Sequence, residues 1–342
     1  MRERHGLSAH ARWRSETPSA GVRPLADPGR GLTLEASRKP YLALANRGTT
    51  LDPIDLVNLA PLMERSSGRG VIVGLIDGPV EVGAPGLHSQ NIRILSNRST
   101  ARCAVPPGAA CKHGTFVASV LTARRGSATP AICPDCTLVV RPIFVEPSRG
   151  TGRLTATPQE LAAAIVDCVD AGARVINVSA GLAPTAVHHD HDLLAALNLA
   201  ARHRVLVVAA SGNDASLGCT ALTGHRWVVP VVAFGSNERP LAHANLGRGI
   251  GMRGVGAPGQ AVMGLDPDGS ARIFTGSSAA TPFVSGTVAL VMELLSDLDA
   301  VAIRHALLAP HEQRSLRTVV PPLLDAWGTY LRLASRSEAA YT

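Results

Sequence analysis

The chain has 342 residues and a formal net charge of +7; 46% of its residues are hydrophobic and only 3% are aromatic. A chain of this size and hydrophobicity can bury a large core, which excludes a disordered protein, and a core built from Ala, Val, Leu and Ile favours an α/β fold. The arginines that carry the charge are scattered and not clustered with stacking aromatics, so we expect no nucleic-acid partner.

Residues 1–50 are rich in Arg, Pro, Gly and Ser and show no hydrophobic periodicity, so we expect a basic, disordered N-terminal extension. The start lacks an apolar run of the length that a secretory signal needs, and no stretch is long and uncharged enough to span a membrane. We therefore expect a cytoplasmic protein without a membrane partner. Residues 51–310 are predicted to form one domain, and residues 311–342 a C-terminal tail.

Helical and strand patterns alternate after residue 50. Residues 52–66 have helical spacing that Pro61 is expected to kink or split. Short β-branched, apolar runs, typical of parallel strands buried on both faces, then occur at 71–77, 138–144, 175–181, 205–213 and 227–234. Helical stretches separate or follow them at 113–123, 157–173, 191–204, 278 onwards and 299–309. This alternation predicts a doubly wound, mostly parallel sheet with helices on both faces.

Four polar residues lie where such a sheet would hold an active site, outside the carboxyl ends of its strands or at helix starts. Asp77 ends the first apolar run, Asn213 follows the apolar part of the fourth, and His113 and Ser278 open helices. A serine hydroxyl needs a base, the role we assign to His113, and Asp77 would orient that imidazole. Asn213 would donate its amide to a developing oxyanion.

The sequence around Ser278 fits a nucleophile at a helix entrance. The neighbours from Gly276 to Ala280 are small, which allows a substrate to approach closely. We expect Pro282 to lie in the first helical turn, where its missing N–H has no intrahelical acceptor anyway. Gly114 and Gly286 are expected to permit close approach of neighbouring backbone.

Four blocks in order, "LIDGPV", "HGTFVASVL", "VVAASGND" and "TGSSAATPFVSG", resemble the subtilisin-like serine proteases. That resemblance implies a serine endopeptidase with the catalytic triad Asp77, His113 and Ser278 and the oxyanion residue Asn213. From about residue 52 to 309 the chain looks more specifically like the leader-removing proteases of cyanobactin maturation. The implied substrate is a ribosomally made precursor peptide, and the implied partners are that peptide and its modifying enzymes.

The resemblance carries further expectations. Ser179, Ala180 and Gly181 would line the substrate cleft, and the absence of an Asn-rich calcium loop implies no metal and no cofactor. Only 35 residues separate Asp77 from His113, which leaves little room for the helical insertion of macrocyclising relatives and so favours hydrolysis over transamidation. Gly78, Phe116 and Ser277 depart from the residues usual in the family, although none of the three removes a catalytic atom.

Other interpretations remain open for single residues and for the chain. His113, Asp77 or Asn213 alone could be a cap, a strand end or a turn residue. A catalytically silent peptide-binding module and a general cytoplasmic protease are the alternatives to a maturation enzyme.

The cysteines and a histidine-rich stretch also allow more than one interpretation. Three states are open for the pairs Cys103 with Cys111 and Cys133 with Cys136: disulfides, free thiols, or one loosely spaced set of metal ligands. Cys168 is expected to pack in a helix face. We interpret "HHDHD" at 188–192 as a helix cap rather than as a metal cluster.

Overall fold

The computed structural model describes residues 51–95, 102–144, 156–179, 190–309 and 318–339. Within these residues a parallel seven-stranded sheet forms the centre of the molecule, in the spatial order β2-β3-β1-β4-β5-β6-β7. Its strands are β1 (Ile72–Asp77), β2 (Ile92–Ile94), β3 (Thr137–Pro142), β4 (Val175–Val178), β5 (Leu206–Ala210), β6 (Val228–Phe234) and β7 (Val255–Pro258). An antiparallel hairpin of β8 (Val262–Leu265) and β9 (Ala271–Phe274) lies outside this sheet. The predicted doubly wound, mostly parallel sheet is confirmed.

Helices cover both faces of the sheet. The longer ones are α3 (Ala109–Thr122), α4 (Pro158–Asp170), α5 (His191–Arg202), α8 (Ser277–Leu294), α9 (Ala300–Leu307) and α10 (Ala326–Ala339), and the short ones are α1 (Pro53–Leu56), α2 (Ala60–Met63), α6 (Ala221–Gly224) and α7 (Arg248–Arg253). None of the helices in the described ranges is both long enough and apolar enough to cross a bilayer.

Alternate residues of each strand enter different cores, which explains why the strands are apolar at successive positions. Leu206 and Val208 of β5 lie in the core that includes α3 and α8, whereas Val207 and Ala209 lie in the core that includes α4 and α5. Sixteen of the eighteen residues of α8 are buried, so this helix is apolar all round because protein surrounds it.

Several elements differ from the sequence prediction. The short strands β2 and β7 and the hairpin were missed, because three or four residues of mixed polarity carry little periodicity. The helix that carries His113 begins at Ala109, with Gly108 as its N-cap, so the prediction that His113 opens the helix is wrong. Residues 53–63 form two short helices with Pro61 in the first turn of the second, and this split was predicted.

Candidate active site

Asp77 and His113 form a buried pair at the carboxyl end of β1. The two atoms Asp77 Oδ1 and His113 Nδ1 are 2.6 Å apart, and the side chains are 0% and 3% exposed. A carboxylate only accepts hydrogen bonds, so Nδ1–H is the donor, and in the neutral imidazole the lone pair then lies on Nε2. This is the tautomer that a general base beside a serine requires.

Two glycines allow α3 to approach the end of β1 this closely. A Cβ on Gly78 would lie 2.1 Å from the carbonyl oxygen of Ala110, and one on Gly114 would lie 2.4 Å from that of Pro79. The Gly78 amide also donates to Asp77 Oδ1 at 2.6 Å. The close approach predicted for Gly114 is therefore confirmed, and the glycine at 78 is explained by the packing of α3.

Two hydrogen bonds join the loop that carries Asn213 to Ser277, the residue before Ser278. The Ser277 amide donates to Asn213 Oδ1 at 2.9 Å, and the Gly212 amide donates to Ser277 Oγ at 3.1 Å. The first bond orients the side-chain amide of Asn213, because it leaves Nδ2 as the outward donor. Serine at 277 thus retains a hydroxyl that ties the loop after β5 to the start of α8.

Ser278 is the second residue of α8, at the carboxyl edge of the sheet. The Gly276 amide donates to the carbonyl of Gly259, and the Gly259 amide donates to the carbonyl of Phe234, the last residue of β6. These two hydrogen bonds place the start of α8 beyond the end of β6. Phe274, four residues earlier, lies edge-on to the His113 ring with centroids 5.3 Å apart. Ser278 Oγ is buried and makes no hydrogen bond to any described residue, His113 included.

Sequence reasoning placed Pro282 incorrectly. Since α8 begins at Ser277, Pro282 is its sixth residue and lies in the second turn. Its ring removes the N–H that would bond the carbonyl of Ser278. The expected backbone approach at Gly286 is also wrong, because a Cβ there would meet the Ile132 side chain at 2.5 Å.

The proposed cleft segment is described only at Ser179. This side chain is fully buried, and its Oγ accepts a 2.7 Å hydrogen bond from Asn177, which also accepts from Ser285. A substrate contact at Ser179 would therefore use its backbone. Ala180 and Gly181 lie outside the described residues. Asn177 was missed, although a polar residue inside an apolar strand run was visible in the sequence.

The cysteines divide into one disulfide and buried thiols. Cys103 and Cys111 are bonded, which joins the loop before α3 to its first turn. Cys133 and Cys136 are thiols, and a hydrogen bond with Cys133 together with burial raises the pKa of Cys136 well above its usual value. Burial raises the pKa of Cys168 to about 12, as expected for a packing residue.

The structure shows no candidate metal-ligand set among the residues it describes. In the histidine-rich stretch, Asp190 caps α5 by accepting from the Leu193 amide at 3.0 Å, which confirms the predicted cap. His188 and His189 lie outside the described residues.

Comparison with known proteins relates the chain to one protease family. Residues 68–317 match the model of the subtilase family. The chain is 26% identical over 273 residues to fervidolysin of Fervidobacterium pennivorans, covering 72% of this chain and 38% of that protein. It is 27% identical over 228 residues to subtilisin E of Bacillus subtilis, covering 66% and 56%. It thus spans about a third to a half of the length of these relatives.

Solved structures of similar fold include maturation proteases. An alanine mutant of the protease domain of PatA is 28% identical, with a TM-score of 0.71, and covers 80% of this chain and 98% of that one. The prenylagaramide maturation protease PagA is 27% identical, with a TM-score of 0.68, and covers 81% and 98%. The PatG macrocyclase domain, at 19% identity and a TM-score of 0.70, shares the fold.

Proposed function

Because this chain belongs to the subtilase family, we propose that it is a serine endopeptidase with Ser278 as nucleophile and His113 as general base. Asp77 orients the imidazole, and Asn213 stabilises the oxyanion. The observation that carries the proposal is the buried Asp77–His113 pair, with its 2.6 Å bond, at the sheet edge where Asn213 is tied to the turn that precedes Ser278.

The reaction follows from these positions. Ser278 Oγ attacks the carbonyl carbon of the scissile bond while His113 Nε2 takes the hydroxyl proton. The charge that develops on the carbonyl oxygen is met by Asn213 Nδ2. The C–N bond then breaks, and His113 gives its proton to the leaving amine. A water molecule, deprotonated by the same imidazole, attacks the acyl-enzyme and releases the new carboxylate and the free serine.

A hydrogen bond between Ser278 and His113 is not required before substrate binds. Bonds of this kind are often long in ligand-free enzymes and shorten in the substrate complex. Since Ser278 Oγ makes no hydrogen bond to the described residues, no competing interaction has to be broken when it turns towards His113.

The proposed substrate is a ribosomally made precursor peptide, cut between its leader and its core. The supporting observation is the 28% identity to the protease domain of PatA, a patellamide maturation protease, with 98% of that domain covered. The backbone of residues 179–181 would bind the peptide, and the precursor's modifying enzymes would be partners. The short segment between Asp77 and His113 favours hydrolysis over transamidation.

Labelling with a fluorophosphonate probe tests the nucleophile. We expect stoichiometric labelling that mass spectrometry assigns to Ser278 and that the Ser278→Ala variant abolishes. The neighbouring serines serve as internal controls, since Ser277 and Ser285 are also buried but have hydrogen-bond partners. A folded wild-type protein that stays unlabelled would contradict the proposal.

A substrate comparison tests the maturation role. Candidate precursor peptides and denatured casein are incubated with equal amounts of enzyme, and the masses of the products are measured by mass spectrometry. We expect one cut per precursor, with linear products that have gained water, and little digestion of casein. Free digestion of casein would identify a general protease instead.

A further inference from the structure

The loop after β5, residues 212–218, carries Asn213 in an unusual backbone conformation. Gly212, Ala215 and Gly218 have φ angles of +104°, +51° and +131°. Residues with a Cβ rarely adopt positive φ, so Ala215 costs free energy that the surrounding contacts must offset. The loop therefore needs an external support to keep Asn213 in one position.

Asn245 provides this support from the opposite side of the loop. Its side chain is 3% exposed, and its Oδ1 accepts from the amides of Asp214 at 2.8 Å and Ser216 at 3.1 Å. The backbone amide of Asn245 donates to the backbone carbonyl of Gly212 at 3.1 Å. One buried residue thus bonds the loop immediately before and immediately after Asn213.

The contact with Gly212 is also steric. A Cβ at position 212 would lie 2.2 Å from Asn245 Nδ2, so the side-chain amide fills the space that a larger residue would need. Gly212 is also the residue whose amide bonds Ser277 Oγ. The support from Asn245 therefore extends to the hydrogen bond that joins Gly212, the residue before Asn213, to the start of α8.

We propose that Asn245 is a positioning residue that holds the side-chain amide of Asn213 on the developing oxyanion. This inference rests on the proposed peptidase activity. Asn245 bonds the backbone on both sides of Asn213, so it acts through Asn213. Without it, the amides of Asp214 and Ser216 lose their buried acceptor and the loop can relax.

Steady-state kinetics on a cleaved peptide tests this role. We expect Asn245→Ala to lower kcat by about 10- to 100-fold with KM within about twofold, since a displacement near 1 Å at a reacting centre has effects of that size. Asn213→Ala should cost about 10²- to 10³-fold. The double variant should be no more than about threefold slower than Asn213→Ala, because nothing is left for Asn245 to position. Effects that multiply in the double variant would overturn the inference.

A control and a second measurement separate this role from general stability. Ser66→Ala removes hydrogen bonds to Leu290 and Glu293, neither of which is hydrogen-bonded to Asn245 or to the loop, and should leave kcat unchanged. If Asn245→Ala does not fold, Asn245→Ser takes its place, because the shorter side chain cannot reach both amides.

Hydrogen exchange keeps the inference separate from the proposed function. The amides of Asp214 and Ser216 should exchange faster in the Asn245 variant, and those of β5 should not. A wild-type protein without activity would contradict the peptidase, whereas unchanged exchange at 214 and 216 would contradict the support by Asn245.

Discussion

The hydrogen bonding of buried polar groups differs between the two ends of the parallel strands. We call the end where the strands begin the amino edge and the end where they stop the carboxyl edge. At the amino edge, one oxygen of Glu293 accepts hydrogen bonds from Ser66 Oγ at 2.5 Å and from the amides of Ser67, Gly68 and Arg69 at 2.8, 2.6 and 3.1 Å. At the carboxyl edge, Ser278 Oγ and Asp77 Oδ2 are buried without a hydrogen-bond partner among the described residues. Buried polar atoms without partners cost free energy, so a hydroxyl and a carboxylate oxygen kept in this state at the carboxyl edge agree with the catalytic role that we propose there.

The comparison predicts that variants at the carboxyl edge change the rate and variants at the amino edge change the stability. The largest effect is expected at Ser278. Ser278→Ala should lower kcat by about 10⁶-fold, the magnitude known for loss of the nucleophile in subtilisin. The free energy of unfolding should change by less than about 1 kcal/mol, since the hydroxyl makes no hydrogen bond to the described residues. Activity assays and denaturant unfolding check both parts, and a variant that remains active would remove Ser278 from the mechanism.

The next largest effect is expected at Asp77. Asp77→Asn keeps the shape of the side chain but favours the wrong tautomer of His113, and kcat should fall by about 10⁴-fold. The rate is measured across a pH series, so that a shift of the pH optimum is not mistaken for a loss of activity. A loss of less than tenfold at every pH would show that the 2.6 Å bond to His113 has no catalytic role.

A smaller effect on the same edge is expected at Gly276. Its φ of +149° is unfavourable for other residues, and a Cβ would lie 2.9 Å from Asn213 Nδ2. Gly276→Ala should therefore lower kcat by about 10- to 100-fold through displacement of that amide. Gly126→Ala is the matched control, because Gly126 also has positive φ but nothing lies near its Cβ position. Equal kinetics for both variants would contradict the explanation.

The smallest effect is expected at the amino edge and concerns stability. Burial disfavours the charge of Glu293, but the hydrogen bonds from Ser66 and three amides outweigh it and lower the pKa of this carboxyl. Its contribution is therefore present above the unfolded-state pKa, near 4.3, and is lost as the pH falls. Glu293→Gln should reduce the free energy of unfolding by about 1 to 2 kcal/mol near neutral pH, and by less in acid, with kcat unchanged. Urea unfolding at two pH values measures this difference.

The state of the four cysteines could not be predicted from their spacing in the sequence and was decided by the tertiary structure. The spacing of Cys103, Cys111, Cys133 and Cys136 left thiols, disulfides and a metal set open. The structure bonds Cys103 to Cys111 and leaves the other two as buried thiols. Pairing depends on which chain segments meet, and spacing along the chain does not contain that information.

The sequence by itself determined the parallel strands and the polar residues at their ends, because both depend on neighbours along the chain. The runs at 71–77 and 205–213 contain β1 and β5 because successive apolar residues favour a buried strand, and Asp77 and Asn213 lie where those runs stop. Asp190 as a helix cap is equally local.

Only the tertiary structure decided which of these residues meet and what supports them. Asp77 reaches His113 because Gly78 and Gly114 let α3 lie against the end of β1. Asn245, 32 positions after Asn213, bonds that loop because the chain returns to it after β6. The start of α3 at Ala109 and the second-turn position of Pro282 were likewise set by packing, since a helix boundary depends on the groups that satisfy its ends and not on periodicity alone.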